Sequence, residues 1–234
     1  MEARILDAMR ECKQEIEDEA LKDRCDSRVT KMNAIVTKYE RTLDPHDFCA
    51  SMEDVCRLPD IRKVIIDGTD EEFNACAEEL TSRLPELTSH LLEERTTKMT
   101  ALFPSSERPG NIFLFATGWF KCGMCYMHPM HAADALRHYC RIPWCYRPEK
   151  PVGETTLDNF AWRRSWCGET HMLQFSEVAS TLARKLILEC GEDPDSITLA
   201  EMDARLHRFG FYKNTELAAC NWREMVSSAG FVDA

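Results

Sequence analysis

Four residues have the types and the spacing to bind a metal ion: Cys122, Cys125, His138 and Cys140. The first two form a Cys-x-x-Cys pair on a Gly-containing turn, and the second two follow after a gap of twelve residues. Thiolates and imidazoles are the usual ligands of zinc, and four of them complete a closed, tetrahedral structural site. One imidazole beside three thiolates favours zinc over an iron cluster. The spacing therefore predicts one structural zinc.

Several alternatives to this ligand set stay open. His128, His131 or Cys145 could each replace one predicted ligand. The first cysteine pair could instead pack as small buried hydrophobic residues, or act in redox chemistry. A redox pair is expected to open a long helix in a βαβ unit, whereas this pair follows a β-prone run and precedes a loop that contains Pro129.

The elements that must position these ligands can be predicted from the surrounding residues. The apolar run 112–117 indicates a strand before the cysteine pair. Residues 129–137 indicate about two helical turns that bring the second pair back. Positions two apart do not share a helix face, so we expect His138 at the helix end and Cys140 in the loop after it.

The first half of the chain reads as helix. Apolar residues recur every three or four positions from Ile5 to Ile16 and again from Cys25 to Leu43, and polar residues at 17–19 and 22–24 interrupt the register between the two runs. The pattern indicates two amphipathic helices, or one with a phase slip, ending before Pro45. Such a stripe favours a bundle element over a coiled-coil dimer arm, because fewer than the three to four clean heptads that such an arm needs are present. Further helix starts are predicted at Ser51, with Pro59 expected to stop that short helix, and at Thr69. Pro85 is expected to open a last helix that ends before Pro104.

The second half carries three more helix signals. Ser176 is an N-cap for a helix over 177–189 that ends at Gly191, with Val178, Leu182, Leu186 and Ile187 on its apolar side. Thr198 and Asn221 each precede a glutamate by three residues and are expected to open two shorter helices.

Charge and turn residues suggest two domains. Residues 1–104 carry a formal net charge of −9, and residues 105–234 carry a formal net charge of −2. The turn-rich stretch 103–110 lies between them. We predict a helical domain over 1–104 and a zinc-binding α+β domain over 110–234. The predicted fold class is mainly α, with a small zinc-stabilised β-hairpin and helix unit in the second half.

Composition narrows the functional classes. No apolar run is long enough for a transmembrane helix and no secretory signal is visible, which predicts an intracellular protein of the cytoplasm or nucleus with no membrane partner. Twelve cysteines in such a compartment are expected to be reduced thiols. A net charge of −11 disfavours binding to nucleic acid.

The zinc segment also resembles a family. The runs 116–125, 127–129 and 136–140 are similar to a segment of an uncharacterised zinc-binding family from mushroom-forming (basidiomycete) fungi, often named as F-box proteins. A second block, 183–194 with 200–203 and 208–209, is similar to the same family, so the resemblance covers roughly 112–225. It implies a small intracellular zinc-binding protein that interacts with other proteins.

The chain departs from that family twice. No F-box segment of the Leu-Pro-x-Glu-Ile type stands at its amino terminus, which disfavours a role as a ubiquitin-ligase receptor. Where the family has a second cysteine pair, residues 210–214 read Gly-Phe-Tyr-Lys-Asn, and we expect aromatic packing there. One zinc is predicted, not two.

These observations favour a zinc-stabilised scaffold or adaptor that binds an unidentified protein partner and catalyses no reaction. A nucleic-acid-binding zinc finger is the first alternative, and a zinc-dependent enzyme is the second. A catalytic zinc keeps an open position with three protein ligands, whereas four ligands are predicted here.

Overall fold

The computed structural model describes residues 2–44, 47–104, 113–123, 128–140, 152–153, 156–157, 165–166, 172–205, 209–213 and 216–228. The helices of this part of the chain are α1 (Glu2–Glu40), α2 (Met52–Val55), α3 (Pro59–Asp67), α4 (Asp70–Ala101), α5 (Ala132–Ala135), α6 (Glu177–Glu189), α7 (Leu199–Ala204) and α8 (Trp222–Ser228). The strands are β1 (Trp119–Cys122), β2 (Met130–His131), β3 (Tyr139–Cys140), β4 (Ser165–Trp166), β5 (Leu173–Phe175), β6 (Phe209–Lys213) and β7 (Glu216–Cys220). The predicted class, mainly helical with a small β component, is confirmed.

The chain forms two compact units, and the first comprises Met1–Leu91 with Arg141–Ser165. Its core is a cluster of buried apolar side chains from the first four helices, joined by Leu157. The buried residues that α1 contributes to this core begin at Cys25, and the half-buried Leu21 packs against it, whereas residues 4–17 are exposed. The predicted bundle packing therefore holds for the second half of α1 and not for the first.

The carboxyl end of α3 is fastened by buried polar contacts from α1. The Arg28 guanidinium donates hydrogen bonds to the carbonyl oxygens of Val64 (3.0 Å) and Ile65 (3.1 Å), and to Oδ1 of Asp70 (2.8 Å). The last carbonyls of a helix lack partners within the helix. Arg28 supplies a donor to that of Ile65, and adds a second donor to that of Val64, which also accepts from the backbone N–H of Gly68. The same guanidinium lies over the Phe73 ring at 5.2 Å.

Two of the helix predictions in the first half need correction. The start at Ser51 is confirmed as a capping box with Asp54, and Thr69 likewise pairs with Glu72. The helix α3, however, starts at Pro59, where the sequence indicated only a stop. Pro85 does not open a new helix, since α4 continues through it to Ala101.

The second unit comprises Leu92–Cys140 and Trp166–Ala234, and a three-stranded antiparallel sheet in the order β2-β1-β5 lies in it. Phe120 is paired with Met130 on one side and with Phe175 on the other. The predicted strand over 112–117 is wrong: residues 113–117 are turns with one bridge from Phe115 to Thr198. The strand lies a few residues later and ends at Cys122.

One core cluster of the second unit consists of buried side chains from β1, α6, α7, α8 and the turns beside them: Ala116, Trp119, Ala179, Ala183, Ile187, Ile197, Met202, Trp222 and Val226. The caps at Ser176 and Gly191 are confirmed, as is the capping box of Thr198 with Glu201. The predicted apolar side of α6 is partly wrong, because Val178 is 51% exposed and the small Ala179 and Ala183 are buried instead.

Residues 209–213 form a strand paired antiparallel with β7, from Phe209 opposite Cys220 to Lys213 opposite Glu216. This hairpin was not predicted, and the side chains of 209–219, on which the expected aromatic packing depends, lie outside the described residues. Residues 105–110 lie outside them as well, so the division into 1–104 and 110–234 stays a prediction. In the described part of the chain, no helix combines the length and apolarity that crossing a membrane requires.

Candidate functional site

The thiol of Cys122 lies at the carboxyl end of β1 and is 3% exposed. Cys122 is paired with Leu173 of β5. The backbone N–H of the next residue, Gly123, donates to the carbonyl oxygen of Met172 at 2.9 Å. A paired strand thus fixes the backbone of this predicted ligand. Its partner Cys125 lies outside the described residues.

His138 follows α5 and immediately precedes β3. Its side chain is half-buried, and burial lowers the pKa of the imidazole from its usual value. The neutral imidazole is the form that ligates a metal. The side chain of Cys140 lies outside the described residues, although its backbone belongs to β3.

The expected positions of this second ligand pair need correction. The helix before it is one turn, Ala132–Ala135, rather than about two turns over 129–137. His138 is therefore separated from the helix by a turn, and Cys140 lies in a strand rather than in a loop. Both ends of this short helix are held by side chains. His131 caps its start, and two other side chains donate hydrogen bonds to the carbonyls at its end.

The first of those side chains is Arg95, which is 1% exposed. Its Nη1 donates to the carbonyl oxygen of Leu136 and to the hydroxyl of Tyr139, each at 3.0 Å. These two acceptors bracket His138 in the sequence. The guanidinium also lies over the rings of Tyr139 (5.3 Å) and Trp166 (5.0 Å). Arg95 therefore holds the chain on both sides of a predicted ligand.

The second is Trp166, whose indole Nε1 donates to the carbonyl oxygen of Ala135 at 2.9 Å. This ring is 1% exposed. Adjacent carbonyls at the end of α5 are thus satisfied by Trp166 and Arg95, which is the capping that a buried helix end requires.

His131, an alternative ligand, is fully buried and uses both ring nitrogens in hydrogen bonds. Nδ1 accepts from the backbone N–H of Ala133 at 3.1 Å, which leaves Nε2 to carry the proton and donate to the carbonyl oxygen of Phe115 at 2.9 Å. Burial lowers the pKa of this imidazole to about 4. In this arrangement His131 has no lone pair left for a metal, and it acts as the N-cap of α5.

A cleft of about 340 Å³ lies in the second unit. Buried Trp119 and Pro129 line it together with half-buried Met130, and exposed Asp134 and Arg137 carry charges of both signs along it. The other lining residues are His128, His131, His138, Arg223 and Ser227. The other alternative imidazole, His128, is exposed, and its Nδ1 lies 3.1 Å from the carbonyl oxygen of Ser227. The predicted ligand His138 and the alternative ligands His128 and His131 thus line the same cleft.

An ion-pair network positions Arg223 at this cleft. Its Nε donates to Oδ1 of Asp203 at 2.8 Å, its Nη2 pairs with Oδ2 of the same carboxylate, and its Nη1 lies 3.6 Å from Asp134. Oδ1 of Asp203 also accepts from the indole of Trp222 at 2.9 Å. The hydrogen bond to Asp203 raises the pKa of Arg223 above its usual value, so the residue is a fixed positive charge.

Two of the four predicted zinc ligands, Cys122 and His138, have described side chains, and the complete set stays a prediction. Within the described ranges no group of three or more His, Cys, Asp or Glu side chains is placed to hold a metal. The alternative Cys145 also lies outside these ranges.

Sequence reasoning missed Arg95 and Trp166, because their partners are 31 to 44 positions away in the chain. It also missed the pairing of Arg223 with Asp203, which are 20 positions apart. Comparisons with family models, with curated proteins and with solved structures give no match.

Proposed function

We propose that the second unit is a zinc-stabilised module that binds a protein partner and catalyses no reaction, with Cys122, Cys125, His138 and Cys140 as the ligands of one structural zinc. The observation that carries the proposal is the fixing of both described donors. Cys122 ends a strand that is paired on both sides in the sheet, and Arg95 holds the residues around His138. Donors held in this way suit a structural ion.

The chemistry of the two described donors fits zinc. A cysteine thiolate and a neutral imidazole are both ligands that zinc accepts in closed sites, and the Cys122 thiol gives up its proton when the ion binds. A zinc ion shared by residues 122, 125, 138 and 140 supplies folding free energy, because ion binding and folding are coupled in small metal domains. Four protein ligands leave no position for a reactive water.

The state of His131 supports a role without catalysis. A general base works best when its pKa is close to the working pH. With a pKa of about 4 and both nitrogens hydrogen-bonded, the buried imidazole of the cleft is neither basic nor accessible near pH 7.

The lining of the cleft supports a protein partner. Methionine and arginine are enriched where proteins meet, and the half-buried Met130 and Arg223 both line this cleft. The flanking charges have both signs, at Asp134 and Arg137. A peptide chain satisfies such a mixture better than a nucleic acid backbone, which the net charge of −11 repels.

Site-specific photo-crosslinking in cells tests the proposal. The photoreactive residue p-benzoylphenylalanine replaces Arg137 at the cleft, and, as a matched control, the exposed Lys185 of α6 in the same unit. We expect position 137 to crosslink one defined protein that position 185 does not, and we expect Cys122→Ser to abolish that crosslink. No crosslink from 137, the same products from both positions, or crosslinks mainly to nucleic acid would contradict the proposal.

A further inference from the structure

The first half of α1 carries an apolar stripe that no other described part of the chain covers. Residues 4–17 are all exposed, and among them are Ile5 (55%), Met9 (64%) and Ile16 (64%). The thiol of Cys12, between them on the same face, is exposed too. We call residues 4–19 the amino-terminal arm. Large apolar side chains in a contiguous exposed stripe typically mark an interaction surface.

The surface of the arm has the form of a helix-packing site. Ile5, Ala8, Met9 and Cys12, together with Arg4, line one shallow depression. The first four are spaced i, i+3, i+4 and i+7, the arrangement that forms the hole for one side chain of a facing helix. The small side chain of Ala8 leaves room in it. A second helix therefore fits here.

The separations between the apolar residues of the stripe read the same from either end of the helix. Its four members, Ile5, Met9, Cys12 and Ile16, are separated by four, three and four residues. In an antiparallel pair of identical helices, Ile5 lies opposite the second Ile16 and Met9 opposite the second Cys12. All four positions then find an apolar counterpart, so the stripe is complementary to its own copy.

Charge decides the orientation. Residues 15–19 carry four carboxylates and no basic side chain, whereas residues 2–13 carry three acidic and three basic side chains. A parallel pair would place the acidic segments side by side. In the antiparallel pair their centres lie about 20 Å apart along the axis at 1.5 Å per residue, well beyond a Debye length of roughly 8 Å. Each acidic segment then faces the neutral one.

We propose that the amino-terminal arm pairs two copies of this chain as an antiparallel helical dimer through Ile5, Met9, Cys12 and Ile16. Each chain carries a net charge of −11, and two such chains repel one another. The contact avoids this repulsion locally because segment 2–13, which faces the acidic segment of the second chain, has no net charge. The dimer does not depend on zinc, since every residue that forms it lies on α1.

Sedimentation equilibrium of the full chain, kept reduced, tests the proposal. We expect a concentration-dependent monomer–dimer equilibrium that Met9→Glu and Ile16→Glu each weaken by at least about tenfold, because a carboxylate would be buried between the helices. Gln14→Glu, which adds the same charge on the opposite face, is expected to retain the dimer. All three sites are exposed, so circular dichroism should show the same helix content in all variants.

Oxidative crosslinking then checks the orientation. In a variant that combines Cys12→Ser with Ile5→Cys and Ile16→Cys, mild oxidation is expected to join position 5 of one chain to position 16 of the second chain, as mapped by peptide mass spectrometry of the crosslinked dimer. A native chain that stays monomeric at all concentrations overturns the proposal, as does a dimer that Met9→Glu leaves intact. A link between the two copies of position 5, which lie about 16 Å apart along the axis in the antiparallel pair, overturns that orientation.

Discussion

The guanidinium of Arg95 donates a 3.0 Å hydrogen bond to the carbonyl oxygen of Leu136, and so fastens α4 to the residue that ends α5. The same nitrogen binds the Tyr139 hydroxyl. A residue that is 1% exposed and makes these contacts is expected to matter for stability more than a surface arginine.

Arg95→Met should therefore lower the free energy of unfolding by about 2–3 kcal/mol, since two hydrogen bonds from a charged donor and two ring contacts are lost. Urea denaturation followed by tryptophan fluorescence measures this change. The control Arg184→Met removes an exposed ion pair with Asp195 and should cost less than about 1 kcal/mol. Equal losses in the two variants would show that Arg95 does not hold the segment.

Stability should depend on pH through His131. The folded pKa is about 4, below the ordinary value of 6.5, so between these values the unfolded state binds more protons than the folded one. The contribution of His131 is therefore complete above pH 6.5 and falls as the pH drops toward 4, by about 3 kcal/mol in total.

The matched variant for this test is His131→Asn, which keeps an acceptor for the Ala133 N–H and removes the titrating ring. Because other groups also titrate, the quantity to compare is the difference in unfolding free energy between native and variant at several pH values. The native advantage should shrink from pH 7 to pH 5. An advantage that stays constant would mean that His131 is not held neutral in the folded state.

In the first unit, the hydrogen bond from Arg28 is the main cause that lowers the pKa of the Asp70 carboxyl. Arg28→Met should return that pKa toward its ordinary value, as followed by NMR titration of the carboxyl carbon. Arg24→Met should raise it less, because Arg24 acts on Asp70 only through its charge. An unchanged Asp70 pKa in Arg28→Met would show that the pair does not form in solution.

Gly191 ends α6 with a φ of +78°, and a Cβ there would meet no atom within 4 Å. Gly191→Ala should therefore cost about 1 kcal/mol through backbone conformation alone. Gly191→Asn should cost less, since asparagine tolerates the left-handed region. Thermal unfolding of the two variants measures both. Similar losses from alanine and asparagine would contradict this explanation.

The helix starts were predictable because their signal is local. The capping boxes of Ser51, Thr69 and Thr198 each lie within four residues, so the sequence shows both partners. The positive φ of Gly191 is likewise a property of one residue.

Features that depend on distant residues were not predictable. Pro85 was expected to start a helix, yet buried Leu80 and Leu84 pack in the core of the first unit and the helix continues through the proline. The strand was placed at 112–117 from composition, whereas its position is set by pairing of Phe120 with Phe175, 55 residues later in the chain. The capping of α5 by Arg95 depends on distant contacts in the same way.

The zinc content per chain of the purified protein, measured by mass spectrometry of the metal, tests whether the four predicted ligands hold one structural zinc. We expect one zinc in the native chain and none in Cys122→Ser or His138→Ala. One zinc should remain in the controls Cys220→Ser, a buried cysteine of the same unit, and His128→Ala. No zinc in the native chain, zinc retained in Cys122→Ser, or zinc lost in His128→Ala would contradict the account.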